Sequence, residues 1–359
     1  MISFRGEGPV AGTGSGIHHI GRGDGMILDR RSFLLTTSAA AMAGSARAGE
    51  AVIEVFDRRG EGIVPAGARL EEIARGFGWS EGPTWDRKRR CLYFTDVPGN
   101  RAYRWRRGEG VSVFLDPSGT AYAEGFREAG ANGMWYTDED RLLICNHGLR
   151  QIEALDLGTG ERVALASSFE GKRFNSPNDL VPAKDGAIFF TDPPYGLQGG
   201  DNSPLKEQPV NGVYALRPDG KVERLLSDMT RPNGVALSPD GKKLYVTQSA
   251  GEDPILRELT LDRSSKVSGD RVITDFSSLM NEANPGLPDG LAVARSGEIF
   301  VGGPGGVVVV HSDGTPLARI RTGSAAANCC FGEDGSTLFI TAHQRVLRIP
   351  TTCRGVQWT

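Results

Sequence analysis

The sequence predicts an all-β protein, a six-bladed β-propeller. Three observations predict it. Short β-branched and aromatic runs are broken by Asp-Gly and Pro-Asp-Gly turns, the mark of hairpins, and no long 3.6-residue period appears. Six of those runs look alike. A short polar motif precedes each of the six at a nearly fixed distance. Composition agrees: 49 glycines and 20 prolines in 359 residues are too many for a helical protein, yet too aperiodic for collagen or a low-complexity chain.

The chain starts with a segment that does not read as fold. Asp29-Arg30-Arg31-Ser32-Phe33-Leu34-Leu35 precedes a small, apolar stretch over 36–44, and Ala46-Arg47-Ala48 then offers a cleavage pattern. The arginine pair followed by Phe-Leu resembles a twin-arginine signal. Residues 1–48 are therefore expected to be a leader that is read by the twin-arginine export machinery and removed. A periplasmic or secreted protein would result. Met26 lies four residues before the arginine pair, so translation could also begin there. Residues 49–359 are expected to form one propeller domain.

The repeats follow. The similar runs begin at Leu92, Leu142, Ile188, Leu244, Ile299 and Leu338, spaced by 50, 46, 56, 55 and 39 residues. A repeat near that length, with several strands per unit, reads as a propeller blade. Upstream stand Glu81-Gly82, Asn132-Gly133, Asn178-Asp179, Asn233-Gly234, Asp289-Gly290 and Asn328-Cys329, at offsets of 11, 10, 10, 11, 10 and 10. Each unit thus reads as an inner strand, a turn and the marker strand, then a third run. The first five units also have a fourth run. The last unit lacks one, and the alternating run Ala68-Arg69-Leu70-Glu71-Glu72-Ile73 is expected to supply it and close the ring, which removes exposed edges.

In a propeller the inner strands line the central channel, so equivalent positions form a ring. Here the ring is Glu81, Asn132, Asn178, Asn233, Asp289 and Asn328, every member with a side-chain oxygen and none His, Cys, Lys or Arg. Buried without partners, such groups are costly. A hard divalent cation, Ca²⁺ above all, accepts oxygen donors of this kind, whereas Zn²⁺ prefers His or Cys. Asn-Gly and Asp-Gly pairs also form simple turns, which is the alternative. The ends of the marker strands place Asp96, His147, Asp192 and His343 at the same mouth. Long loops over 116–131 and 193–210 follow there, and Trp79 and Tyr195 could wall a substrate pocket.

Other signals lead elsewhere. The balance of 41 Lys+Arg against 44 Asp+Glu argues against a nucleic-acid binder. No stretch after residue 50 approaches 18 continuous apolar residues, so the mature chain is expected to have no membrane span. Five cysteines with no C-x-x-C argue against zinc; buried small hydrophobes are the simpler reading, although an exported chain could form a disulfide. Gly78-Trp79-Ser80-Glu81-Gly82 matches a nucleophile elbow but lacks the helix that motif needs.

The phrases Ser80-Glu81-Gly82-Pro83-Thr84-Trp85, Asn175-Ser176-Pro177-Asn178-Asp179-Leu180, Phe190-Thr191-Asp192-Pro193-Pro194-Tyr195-Gly196, Arg231-Pro232-Asn233-Gly234 and Pro288-Asp289-Gly290 carry a resemblance. The chain resembles the gluconolactonase branch of the senescence-marker-protein/gluconolactonase/luciferin-regenerating-enzyme family, over about residues 70–350. The resemblance implies a six-bladed propeller with a divalent metal, often Ca²⁺, held by Glu81, Asn178, Asn233 and Asp289. It implies that Asn132 and Asn328 bind substrate or water. It implies hydrolysis of a small sugar lactone, such as gluconolactone, to the aldonic acid. Asp289 is the first candidate for the general base and Asp192 the second. His147 and Tyr195 are candidate substrate contacts, His147 standing in Asn-His-Gly where the family usually has Glu-His-Gly. The rival readings are a phosphotriesterase-like calcium propeller and a non-enzymatic ligand-binding propeller.

Overall fold

A computed structural model describes residues 52–357. The leader over 1–48 lies outside the described residues. Six antiparallel sheets of four or five strands follow one another along the chain, one per predicted unit, and a two-stranded ribbon, Ser168–Phe169 with Lys172–Arg173, lies between the second and the third. Blade one is Ser80–Asp86, Cys91–Asp96, Arg101–Arg106 and Gly110–Leu115, from the inside out. Blade two begins with Ala131–Tyr136, blade three with Leu180–Pro182, blade four with Pro232–Leu237, blade five with Leu291–Val293 and blade six with Asn328–Gly332. Among the described residues the only helical pieces are three short 3₁₀ turns, and no helix is long and apolar enough to cross a membrane.

The second strand of each blade explains why the sequence reads there as an unbroken apolar run. Its alternate side chains enter two different cores. Leu92 and Phe94 pack with Phe339 and Val346 of blade six, while Cys91 and Tyr93 pack with Leu142 and Ile144 of blade two. In blade three, Phe189 packs toward blade four and Phe190 toward blade two. Six such clusters exist, one at each junction between neighbouring blades. A strand apolar on both faces must be covered on both, and the ring of blades does that.

The ring closes as the repeat requires. Glu71–Arg75 pairs antiparallel with Arg345–Pro350 and becomes the outer strand of blade six. Arg348 fixes the join: it donates to Glu71 Oε2 at 2.6 and 2.8 Å and lies over the Trp105 ring of blade one. A fifth strand on blade five was not foreseen. Ile53–Val55 pairs with Pro316–Arg321, and Glu54 accepts from Arg319 and Arg321 at 3.0 Å each. Three residues are too few to show a period in sequence. The five cysteines are free and buried, as the simpler reading has it.

Candidate functional site

The ring residues sit at the start of the inner strands, and three local features fix them there. The first is the glycine that follows four of the six ring residues. A Cβ on Gly82 would lie 2.1 Å from the Asn132 carbonyl oxygen, and one on Gly234 would lie 2.4 Å from that of Asp289. These glycines therefore permit adjacent inner strands to converge. Gly82, Gly133 and Gly234 lie within strands rather than in turns.

The second feature is a threonine clamp between blades. Thr95 Oγ1 donates to the Asn132 carbonyl at 3.1 Å, Thr191 Oγ1 to that of Asn233 at 2.5 Å, and Thr247 Oγ1 to that of Asp289 at 2.6 Å. Blades one, three and four thus each position the ring residue of the next. The third is a chain of amides. Asn132 donates to Asn178 at 2.9 Å, Asn178 to Asn233 at 2.7 Å, and Asn233 to Ser249 Oγ at 2.8 Å. Each accepting Oδ1 keeps a further lone pair.

Five ring members, Glu81, Asn132, Asn178, Asn233 and Asp289, line one cavity of about 390 Å³. Tyr195 lines it too, with Trp79, Leu287, Ala325 and Ala326 as apolar wall. Asn328 does not. It lies with Asp179 at the head of a second cavity, which runs along the inner strands to the turns at the far end of the channel. There its Nδ2 lies 3.5 Å from Asp179 Oδ2. Asp179 was missed in the sequence, yet it left a signal: it occupies the position that four other blades give to glycine.

Burial dominates the electrostatics. It pushes Glu81 up to about 8 and Asp179 up to about 7. Asp289 is raised strongly by burial, then by the charges of Glu81 and Asp179. Three carboxylates that crowd a channel and raise one another's proton affinity form an environment that a cation would relieve. The donor set fits: all oxygen, mixed carboxylate and amide, with no His or Cys. Among the described residues no group of three or more His, Cys, Asp or Glu could by itself hold a metal, so the amides of Asn178 and Asn233 would have to complete the shell.

Asp192 and His147 stand apart from the cavity. Asp192 is fully buried and absent from the lining; its Oδ2 accepts from Asn175 N at 2.8 Å. The same position in other blades does the same work. Asp96 Oδ1 accepts from Gly78 and Trp79 N at 3.1 Å, Asn146 from Leu149 N at 2.9 Å, and Gln248 from Thr230 N at 2.8 Å. The end of the second strand is thus a loop latch, and Asp192, the second candidate for the general base, stands outside the cavity lining. His147 is wholly buried, and burial pushes it down to about 3, so it is neutral. Its Nε2 lies 3.4 Å from Asn132 Nδ2, which makes it a support for a ring residue rather than a wall of the cavity. His343 is exposed and packs edge-on against Trp79. Ser80 is buried and donates to the carbonyls of His343 and Arg345, consistent with no role as nucleophile.

Residues 79–344 match the family model described as the SMP-30/Gluconolactonase/LRE-like region. The chain belongs to this family. It is 39% identical over 333 residues to a gluconolactonase of Zymomonas mobilis, covering 89% of this chain and 94% of the relative. Among solved structures it is similar to a gluconolactonase of Xanthomonas campestris, at 33% identity and a TM-score of 0.71, covering 83% of this chain and 94% of that one. A calcium-binding regucalcin of Agrobacterium tumefaciens shares the fold at 19% identity and a TM-score of 0.65, covering 80% and 95%.

Proposed function

We propose that the chain is a hydrolase that opens a sugar lactone, such as gluconolactone, to its aldonic acid, and that it depends on a divalent cation, Ca²⁺ foremost. The observation that carries this is the convergence of Glu81, Asn132, Asn178, Asn233 and Asp289 on one cavity. The 39% identity to a gluconolactonase supports the choice of substrate. Bound by Glu81, Asn178, Asn233 and Asp289, the cation would polarise the lactone carbonyl and offset the negative charge that develops as water attacks.

The chain's own residues do the rest. Asp289 accepts the proton of the attacking water, and the burial that raises its proton affinity suits it to that task. The new bond joins the water oxygen to the carbonyl carbon. The ring C–O bond then breaks, and the proton held by Asp289 passes to the departing alkoxide. Asn132, held by His147 and the Thr95 clamp, orients the substrate. Trp79 and Leu287 exclude bulk water from one side.

Proton release from glucono-1,5-lactone in a pH-stat tests the proposal, with spontaneous opening subtracted. Turnover that a chelator abolishes and Ca²⁺ restores is expected. Turnover of a phosphotriester in place of the lactone would move the chain to another hydrolase class. Turnover of neither would leave a ligand-binding propeller. The Arg30-Arg31-Ser32-Phe33-Leu34 leader supports a periplasmic or secreted location, and mass spectrometry of the exported protein would show a start near Gly49.

A further inference from the structure

The cavity has a polar side that neither the ring nor the proposed chemistry uses. Two loops build it. Residues 116–130 lead from blade one to blade two, and residues 193–211 span the mouth of blade three. They are tied to each other: Phe126 and Leu197 form an antiparallel bridge, Arg127 N donates to Gly196 O at 2.9 Å, and Gln198 N donates to Gly125 O at 2.9 Å. Gly196 in turn packs on His147, where a Cβ would lie 2.8 Å from the imidazole. The backbone, not the side chains, therefore holds Glu128 and Tyr195 at the cavity wall.

Both side chains have unused hydrogen-bonding capacity. The buried Tyr195 hydroxyl lies near Ser249 and Asn233 but bonds to neither. Glu128 is four-fifths buried on its side chain and pairs through Oε1 only with the exposed Arg127, at 3.1 Å. Its Oε2 stands 4.0 Å from His147 Nδ1, too far for a hydrogen bond, and that buried nitrogen has no partner. A carboxylate has about four acceptor sites and a phenol both donates and accepts. The same cavity is also lined by the apolar side chains of Trp79, Val97, Leu287, Ala325 and Ala326. A lining that mixes apolar side chains with unused polar groups suits a small ring that carries hydroxyls.

We propose that Glu128 accepts a hydrogen bond from a ring hydroxyl of the substrate and, with the Tyr195 hydroxyl, makes the site select polyhydroxylated lactones over unsubstituted ones. This rests on the lactonase reading above. The physical reason is asymmetric: a site built to pair with a hydroxyl leaves its own buried polar groups unpaired when the substrate lacks one.

The test compares kcat/KM for glucono-1,5-lactone and for δ-valerolactone, whose ring carries no hydroxyl, in the metal-loaded wild type and in Glu128→Ala, Glu128→Gln and Tyr195→Phe. The preference ratio for the hydroxylated lactone should fall about tenfold or more in Glu128→Ala. It should recover in part in Glu128→Gln, which keeps an acceptor oxygen, and fall by a smaller factor in Tyr195→Phe. An unchanged ratio overturns the proposal. So does an equal loss on both lactones, which would place Glu128 at the reacting carbonyl or in folding. If the wild type turns over neither lactone, the lactonase reading has failed and this proposal with it; an active wild type with an unmoved ratio sinks this proposal alone.

Discussion

Asp289 and Asp192 make an instructive pair. Both are aspartates at a repeated register, and desolvation raises the proton affinity of both, although Asp192 is fully buried and Asp289 is partly exposed. Their roles differ because of what surrounds them. Asp289 begins an inner strand, lines the cavity and meets the charges of Glu81 and Asp179. Asp192 ends a second strand, one register away from the channel, and holds the backbone of Asn175. A perturbed carboxyl is thus a poor guide to chemistry on its own; the register in the blade decides.

The contrast can be broken most sharply at Asp289. Asp289→Asn keeps the shape and removes the proton acceptor, so kcat should fall by about 10²–10⁴-fold. The metal-free variant should melt no lower than wild type, because the amide stays neutral beside Glu81 and Asp179 without having to take up a proton. Turnover within a few-fold of wild type would end the assignment of Asp289 as the base.

A middle-sized effect is expected where the ring meets its neighbour. Gly234→Ala places a Cβ 2.4 Å from the Asp289 carbonyl and 2.7 Å from Gly290 Cα, backbone that cannot move aside cheaply. A loss of about 1–3 kcal/mol in stability should follow, read in urea unfolding, with activity reduced as well. An equally stable and active variant would show that the inner strands tolerate a wider ring.

The effect at the latch depends on pH. Burial raises the Asp192 pKa from 3.8 to about 7. Between those values the folded state binds more protons than the unfolded one, so stability contributed at this site falls as pH rises through the window. Asp192→Asn cannot ionise there. The Tm difference, variant minus wild type, should therefore grow from pH 4 to pH 8 and then level off. Parallel Tm profiles would show that Asp192 stays charged in the fold.

Much of the architecture was legible in the sequence, because a propeller repeats its physics. Leu92, Leu142 and Ile188 announce second strands buried on both faces. The constant offset back to Glu81, Asn132 and Asn178 announces a register. The run at 68–73 announced closure because a propeller cannot leave an edge unpaired. What was not legible depends on neighbours distant in sequence. Ile53–Val55 is too short to carry a period. Glu128 lies in a loop whose course is set by Gly196, some seventy residues later.

The sequence by itself determined the number of blades and the register at which oxygen-bearing side chains recur, since each follows from a periodic choice of residue type. Only the tertiary structure decided which ring members share a cavity. It turned Asn328 and Asp179 toward the far channel, made Asp192 a latch and His147 a neutral support, and brought Glu128 beside Tyr195. Residue type sets what a group can do; the packing of six inner strands sets which groups meet, and that depends on contacts between blades that no local pattern records.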